Sequence, residues 1–222
     1  MRNLFLLLII LFTSFAVQAQ ESINVDYLAI KDTITNNPIN YENLLERYKR
    51  NDPALTLNDY VLLYYGYSFT PAYTGSMETN KTEFNNLVNN KKFQEAYNLG
   101  KEMLKSNPVS LYTLYNMYYL CQALEKSVEE ANMYMVKYSK LLQTIASSGD
   151  GRSEETAFKV IAVSDEYQLM FNYWGVEEIK SQSLINNCDV FEFSSSTHYK
   201  GGNKMYFDIS RSLEYMQTLF KE

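Results

Sequence analysis

Apolar residues recur along this chain mostly three and four positions apart, the spacing of one face of an α-helix. Tyr27, Ile30 and Ile34 share it, inside an entry arm over 20–40 that Pro38 is expected to end. Asn40 is then expected to cap a short helix with Tyr41, Leu44, Leu45 and Tyr48 on one face. Asn51-Asp52-Pro53 breaks that helix, and Thr56 reads as the cap of a third carrying Tyr60, Leu63, Tyr64 and Tyr67. Pro, Gly, Ser, Thr and Asn dominate 71–82, so that stretch reads as loop.

The clearest periodicity lies over 82–146. Phe84, Leu87 and Val88 form one face, and Asn89-Asn90 punctuates it. Phe93, Ala96, Tyr97, Met103 and Leu104 form the next, which stops at Asn107-Pro108. Ser110 caps a segment that is apolar or aromatic nearly all round, from Leu111 to Cys121, and a helix of that kind is expected to be the central, most buried one. Ser127-Val128-Glu129-Glu130 has the form of a capping box and opens a fourth helix through Ala131, Tyr134, Tyr138, Leu141, Leu142 and Ile145. The spacing resembles tetratricopeptide repeats, with Ala96 and Pro108 in place. It departs from them at Gly100, where the repeat has Phe, and Ala131 is one residue out of register with Ala96.

At 147–153 the chain turns polar and Gly-containing. The β-branched run Phe158 to Val163 predicts a short buried strand, with a helical continuation as the alternative. Ser164 or Asp165 then caps a helix through Leu169, Met170 and Tyr173 that Gly175 ends. A hairpin follows. Phe191 and Phe193 share a face of one strand, Met205, Phe207 and Ile209 a face of the other, and 198–203 is the turn. Residues 213–220 read as a closing helix. The expected fold is therefore mainly α with a small β part: helical hairpins over 20–146, then an α+β segment over 147–222 packed on them as one body.

Residues 1–19 change the setting. Arg2, the apolar run Leu4 to Phe12 and the ending Val17-Gln18-Ala19 form a secretory leader with a small-x-small cleavage site. The working chain is expected to begin near Gln20 and to act in the periplasm, at the outer membrane or outside the cell. No later segment is apolar and long enough to span a bilayer. Loss of the leader removes Arg2 alone, leaving 19 basic residues of the original 20 against 26 acidic, a net charge of −7. An acidic surface disfavours nucleic acid and anionic membrane as partners. In an oxidising compartment Cys121 and Cys188 form one bridge or remain two buried thiols. The 20 tyrosines, against 12 Phe and one Trp, mostly fall on core-facing positions. They read as helix contacts whose hydroxyls reach the rim, with a sugar-binding surface of Tyr64, Tyr65, Tyr112 and Tyr119 as the alternative.

Chemistry is sparse. His198 is the one histidine and sits in a Gly-rich turn, which reads as a solvated side chain rather than a held base. One His and two distant Cys make no zinc site, and no phosphate loop or nucleophile elbow occurs. Asp165-Glu166 follows the predicted strand, with Asp150, Glu154 and Glu155 nearby in sequence. A buried pair among these would suit a carboxylate hydrolase; as helix-start acids they complement the macrodipole. Asp150-Gly151-Arg152-Ser153 reads as a turn, not a Ca²⁺ loop. No cofactor or metal is expected, and catalytic residues stay unassigned.

Several segments together resemble a family of exported proteins of Bacteroides-type bacteria, a domain of unknown function. They are Leu62-Leu63-Tyr64-Tyr65-Gly66-Tyr67, Ser148-Gly149-Asp150-Gly151 through Glu155-Thr156-Ala157-Phe158, Val163 to Tyr167, and Gln182-Ser183-Leu184 through Cys188-Asp189. The resemblance implies an envelope location and one continuous body, and no mechanism. The leading expectation is an envelope interaction module for a protein or peptide, with a glycan-binding protein or a carboxylate hydrolase as alternatives.

Overall fold

The structure is a computed structural model and describes residues 22–220, so the leader lies outside the described residues. Helix α1 (Tyr27–Asn36) is capped by the Asp26 carboxylate, which accepts from the Leu28 and Ala29 amides. Helix α2 (Pro38–Lys49) starts three residues earlier than expected: its cap position is Asn37 rather than Asn40, Pro38 opens it, and Asn40 lies inside its first turn. Proline suits that position because its missing N–H has no helical partner there. Helix α3 (Leu57–Tyr67) has the Thr56 cap as expected, and the Asp59 carboxylate accepts from the Thr56 amide in return. The polar loop after it gives way to α4 (Lys81–Asn89), α5 (Phe93–Ser106), α6 (Leu111–Ala123) and α7 (Val128–Ala146), each packed on its neighbour in sequence.

Two helix expectations are corrected. The most buried helix is α3, with seven of its residues inside, whereas α6 leaves Tyr115 and Tyr119 at 39% and 48% exposure. At α7 the Ser127 hydroxyl does accept from the Glu130 amide. Glu130 does not reach back to the cap; its carboxylate takes the Tyr97 hydroxyl instead. Gly100 has a packing reason: a Cβ there would lie 2.4 Å from Met117 Sδ and 3.0 Å from the Phe84 ring. Bare backbone lets α5 approach α4 and α6.

Among the described residues the sheet has four strands in the order β1-β4-β3-β2. Strand β1 is only Phe158–Lys159 and runs parallel to β4 (Lys204–Asp208). The longer strand expected over 158–163 is cut short because side chains take over the backbone groups beyond it. The Ile161 amide donates to Tyr64 Oη at 3.2 Å, and its carbonyl accepts from Tyr73 Oη at 2.6 Å and Ser212 Oγ at 3.1 Å. Val163 already begins α8 (Val163–Gln168), which neither Ser164 nor Asp165 caps. It continues into a π-helical turn, Leu169–Tyr173. The expected hairpin is present as β3 (Cys188–Phe193) antiparallel to β4. Sequence patterning missed β2 (Ile179–Ile185), which pairs with β3 and buries no face of its own. Helix α9 (Ser210–Leu219) closes the chain.

One hydrophobic cluster joins helices and sheet, with Tyr64, Tyr65, Leu141, Ile145, Phe158, Phe191 and Phe207 among its members. A smaller one sits between α4, α5 and α6. Many of the tyrosines pack edge-on in the core, and several donate their hydroxyls to main-chain carbonyls of other elements. Tyr41 donates to Leu63 O, Tyr48 to Pro108 O and Tyr65 to Lys159 O. Cys121 and Cys188 are both buried free thiols.

Candidate functional site

The acids at the start of α8 are buried, Asp165 at 4% exposure and Glu166 at 0%. The Asp165 carboxyl accepts from Tyr64 Oη at 2.6 Å. Burial pushes it up to about 7, the charge of Glu78 adds to this, and the tyrosine hydrogen bond opposes it. Glu166 is pushed further, to about 10, by burial first and then by the charges of Asp189 and Asp165. No hydrogen-bond partner among the described residues reaches either Glu166 oxygen. Burial beside the Asp189 and Asp165 charges therefore keeps Glu166 protonated at neutral pH, while Asp189 accepts from Gln182 Nε2 at 3.0 Å. Gln182 in turn takes the Tyr167 hydroxyl at 2.9 Å. A neutral Glu166 cannot complement a helix dipole, so the macrodipole reading of this residue is replaced by a buried, protonated acid beside Asp189.

This arrangement meets two demands of a carboxylate hydrolase, burial and a facing acid, and lacks room for a substrate. The cavity beside Asp165, lined by Ser76, Glu78 and Ser110 among others, holds about 20 Å³. That is space for one water. The carboxylates tie α8 to α3 and β3.

The other sequence candidates gather elsewhere. A recess of about 660 Å³ is lined by Asp150, Arg152, Glu155, Trp174, His198, Tyr199 and Lys200, with further residues around them. Its wall is a loop folded on itself: the Asp150 and Gly151 amides both donate to Thr156 O, at 3.0 and 2.8 Å. Asp150 Oδ1 accepts from the Arg152 amide at 3.0 Å and from Thr156 Oγ1 at 2.5 Å, so the segment is a turn, as expected. Tyr199 Oη ties the opposite rim to Asp150 O at 3.0 Å. A Cβ on Gly149 would stand 2.3 Å from Thr156 O. The charges neutralise one another locally, with Asp150 paired to Arg152 at 3.8 Å and its carboxyl held low mainly by the Thr156 hydroxyl. His198 is exposed, and no described hydrogen bond involves its imidazole, so the recess holds no nucleophile–base pair. Among the described residues no three of His, Cys, Asp and Glu gather closely enough to hold a metal ion.

The tyrosine surface proposed from sequence is overturned. Tyr64 and Tyr65 are both at 0% exposure inside the main core, and they share no open face with Tyr112 and Tyr119. A different aromatic row does reach solvent. Phe93 of α5 meets Tyr119 edge-on at 6.1 Å. Tyr115, one turn along α6, meets Tyr138 at 5.2 Å. The Tyr138 hydroxyl bonds Gln168 and Asn172, and beside them Phe171 stacks on Tyr167 at 6.4 Å. Tyr167 then bonds Gln182 of β2. Tyr115, Tyr119 and Phe171 are each exposed, while Tyr138 between them is buried, so the row reaches solvent on α6 and again at the π-helical turn beside the sheet edge. Sequence reasoning missed it because its members come from four elements. The available signal was the pair Tyr115 and Tyr119 on the polar side of α6.

Segments that carried the family resemblance converge here: Tyr64 meets Asp165, Gln182 meets Tyr167 and Asp189, and the 148–158 loop walls the recess. The chain matches the domain of unknown function DUF4919 over residues 28–217, and it belongs to that family. No curated protein and no solved structure matches it.

Proposed function

We propose that this family member is an exported envelope protein that binds a polypeptide partner and catalyses no reaction. The observation that carries the reading is the set of exposed rings Tyr115, Tyr119 and Phe171, linked through the buried Tyr138. Rigid aromatic side chains supply contact area at low entropic cost and dominate binding energy at protein interfaces. The helices behind it, α4 to α7, serve as a degenerate tetratricopeptide-like pair that fixes the row in place. The leader over 1–19 supports delivery to the periplasm or the outer membrane of a Bacteroides-type cell. Neither buried carboxylates nor the recess offers a nucleophile, base and substrate space together, which favours binding over turnover.

The test uses the mature chain, whose mass gives the cleavage position, crosslinked in its native envelope. The triple variant Tyr115→Ser, Tyr119→Ser, Phe171→Ser is expected to keep the circular dichroism of the parent and to lose the partner at least tenfold. Unchanged capture by a folded triple variant would overturn the reading.

A further inference from the structure

The aromatic row ends on an open strand. Strand β2 is the last in the sheet, and among the described residues no strand lies beyond it. Its main-chain groups can be assigned. Phe193 N donates to Asn203 O and Ile209 N donates to Asn187 O, so the odd-numbered residues of β3 bond to β4. Antiparallel alternation then turns Cys188, Val190 and Glu192 toward β2, where they face Ile185, Ser183 and Ser181. The N–H and C=O groups of Gln182 and Leu184 therefore point away from the sheet, into solvent. Every residue from Lys180 to Ile185 is exposed, Leu184 at 56% and Ile185 at 41%.

An unpaired edge of this kind is a hydrogen-bonding template, and proteins usually guard such edges with bulges or lysines. Here both guards sit at one end. The register shifts between Ile179 and Ser181, and Lys180 is the strand's one charge. The stretch from Ser181 to Ile185 is regular and unguarded, about 17 Å long at ~3.4 Å per residue. Its ends are acidic. Glu177 and Glu178 precede the strand, both exposed, and Glu154 holds Asn186 just after it at 2.7 Å. Glu192 on the next strand pairs with Lys204 at 2.7 Å, and Lys180 lies in the field of the same carboxylate.

We propose that the free edge of β2 binds an extended polypeptide segment by strand addition, one with an apolar centre and a basic residue at each end. The row of outward N–H and C=O groups calls for a peptide backbone, which a glycan does not have. Leu184 and Ile185, on opposite faces of the strand, call for apolar side chains above and below. The carboxylates at both ends call for lysine or arginine. The proposal rests on the partner-binding reading above and uses different atoms, main chain rather than aromatic rings, so each can fail alone.

The probe is a fluorescent peptide of alternating valine and threonine with a lysine at each end, titrated into the full mature chain and read by anisotropy. Three results are expected. N-methylation of alternate amides weakens binding at least tenfold. Glutamate in place of both lysines weakens it at least fivefold. Leu184→Pro, which removes an outward N–H from an edge position, abolishes it, while Leu184→Ala, which keeps the N–H, stays within about threefold. Binding that survives N-methylation and Leu184→Pro would overturn strand addition. So would a dimer of the free chain, dissolved by Leu184→Pro and indifferent to peptide, which would make a second copy the occupant. Equal binding of the glutamate peptide would overturn the basic ends. The triple aromatic variant separates the two readings: it is expected to keep peptide binding, and its failure to bind the probe would assign the peptide to the rings instead.

Discussion

Glu166 is the residue whose chemistry departs furthest from its sequence appearance. Its carboxyl rises from 4.5 to about 10 in the folded chain, and that of Asp165 from 3.8 to about 7. Folded protein therefore holds protons that the unfolded chain releases. The contribution is complete below about pH 4, where both states are protonated, and it falls as pH rises, through 7 for Asp165 and on toward 10 for Glu166. The urea midpoint is expected to be lower at about pH 8.5 than at about pH 5.5. In Glu166→Gln, whose amide carries no charge at any pH, that decline flattens and the protein gains stability at the higher pH. A midpoint that rises with pH would contradict the raised carboxyls. Tyr64 makes a second residue-scale test. Its hydroxyl donates to Asp165 and accepts from the Ile161 amide, so Tyr64→Phe leaves two buried groups without partners. The expected loss is about 2–4 kcal/mol in chemical denaturation, far more than one removed oxygen costs at a surface.

Among elements, what could be read beforehand was what is local. Thr56, Ser110 and Ser127 cap helices because a hydroxyl reaches an amide two or three residues on, and those few residues suffice to see it. The β3–β4 hairpin was visible because Phe191, Phe193, Met205, Phe207 and Ile209 alternate toward the core. Strand β2 was invisible because nearly every side chain on it is exposed, which leaves no alternation to detect. The length of β1 was misjudged because tyrosines from α3 and the following loop, some 90 residues away in sequence, capture the Ile161 backbone. The candidate site was legible in composition and not in assembly: Asp150, Glu155 and His198 were each noted, and the recess that gathers them depends on the 147–157 loop folding back. That loop carries its own prediction. Gly149→Ala sets a Cβ against the Thr156 and Ala157 carbonyls at 2.3 and 2.6 Å, and backbone cannot rotate away as a flexible side chain does. A loss of about 1–3 kcal/mol is expected. Hydrogen exchange should accelerate first at the Asp150 and Gly151 amides that donate to Thr156.

For the whole molecule, the informative pair is the two thiols. Cys121 belongs to the smaller cluster and Cys188 to the start of β3, and both are buried. Burial pushes each thiol up to about 11, so at neutral pH almost no thiolate is available for exchange. Reducing agent is expected to leave the thermal midpoint unchanged. An aromatic disulfide reagent should titrate no fast-reacting thiol in the folded chain and both after denaturation. A midpoint that drops under reduction would require a bridge that these positions do not make. Stability instead rests on the core that runs unbroken from α1 to β4.

The order of the strands has a consequence in time. β4, residues 204–208, lies between β1 and β3, and its neighbour β1 precedes it by 46 residues of chain. Synthesis proceeds from the N-terminus, so a ribosome that has reached residue 200 has delivered α1 to α7 and both flanks of the sheet, with the middle still missing. Until the last segment arrives, the Phe158 and Phe191 rings that Phe207 will separate and cover have no lid. The nascent chain stays dependent on whatever shields it until residues 204–208 are made, and a stop just before residue 204 removes the strand that joins the two flanks of the sheet.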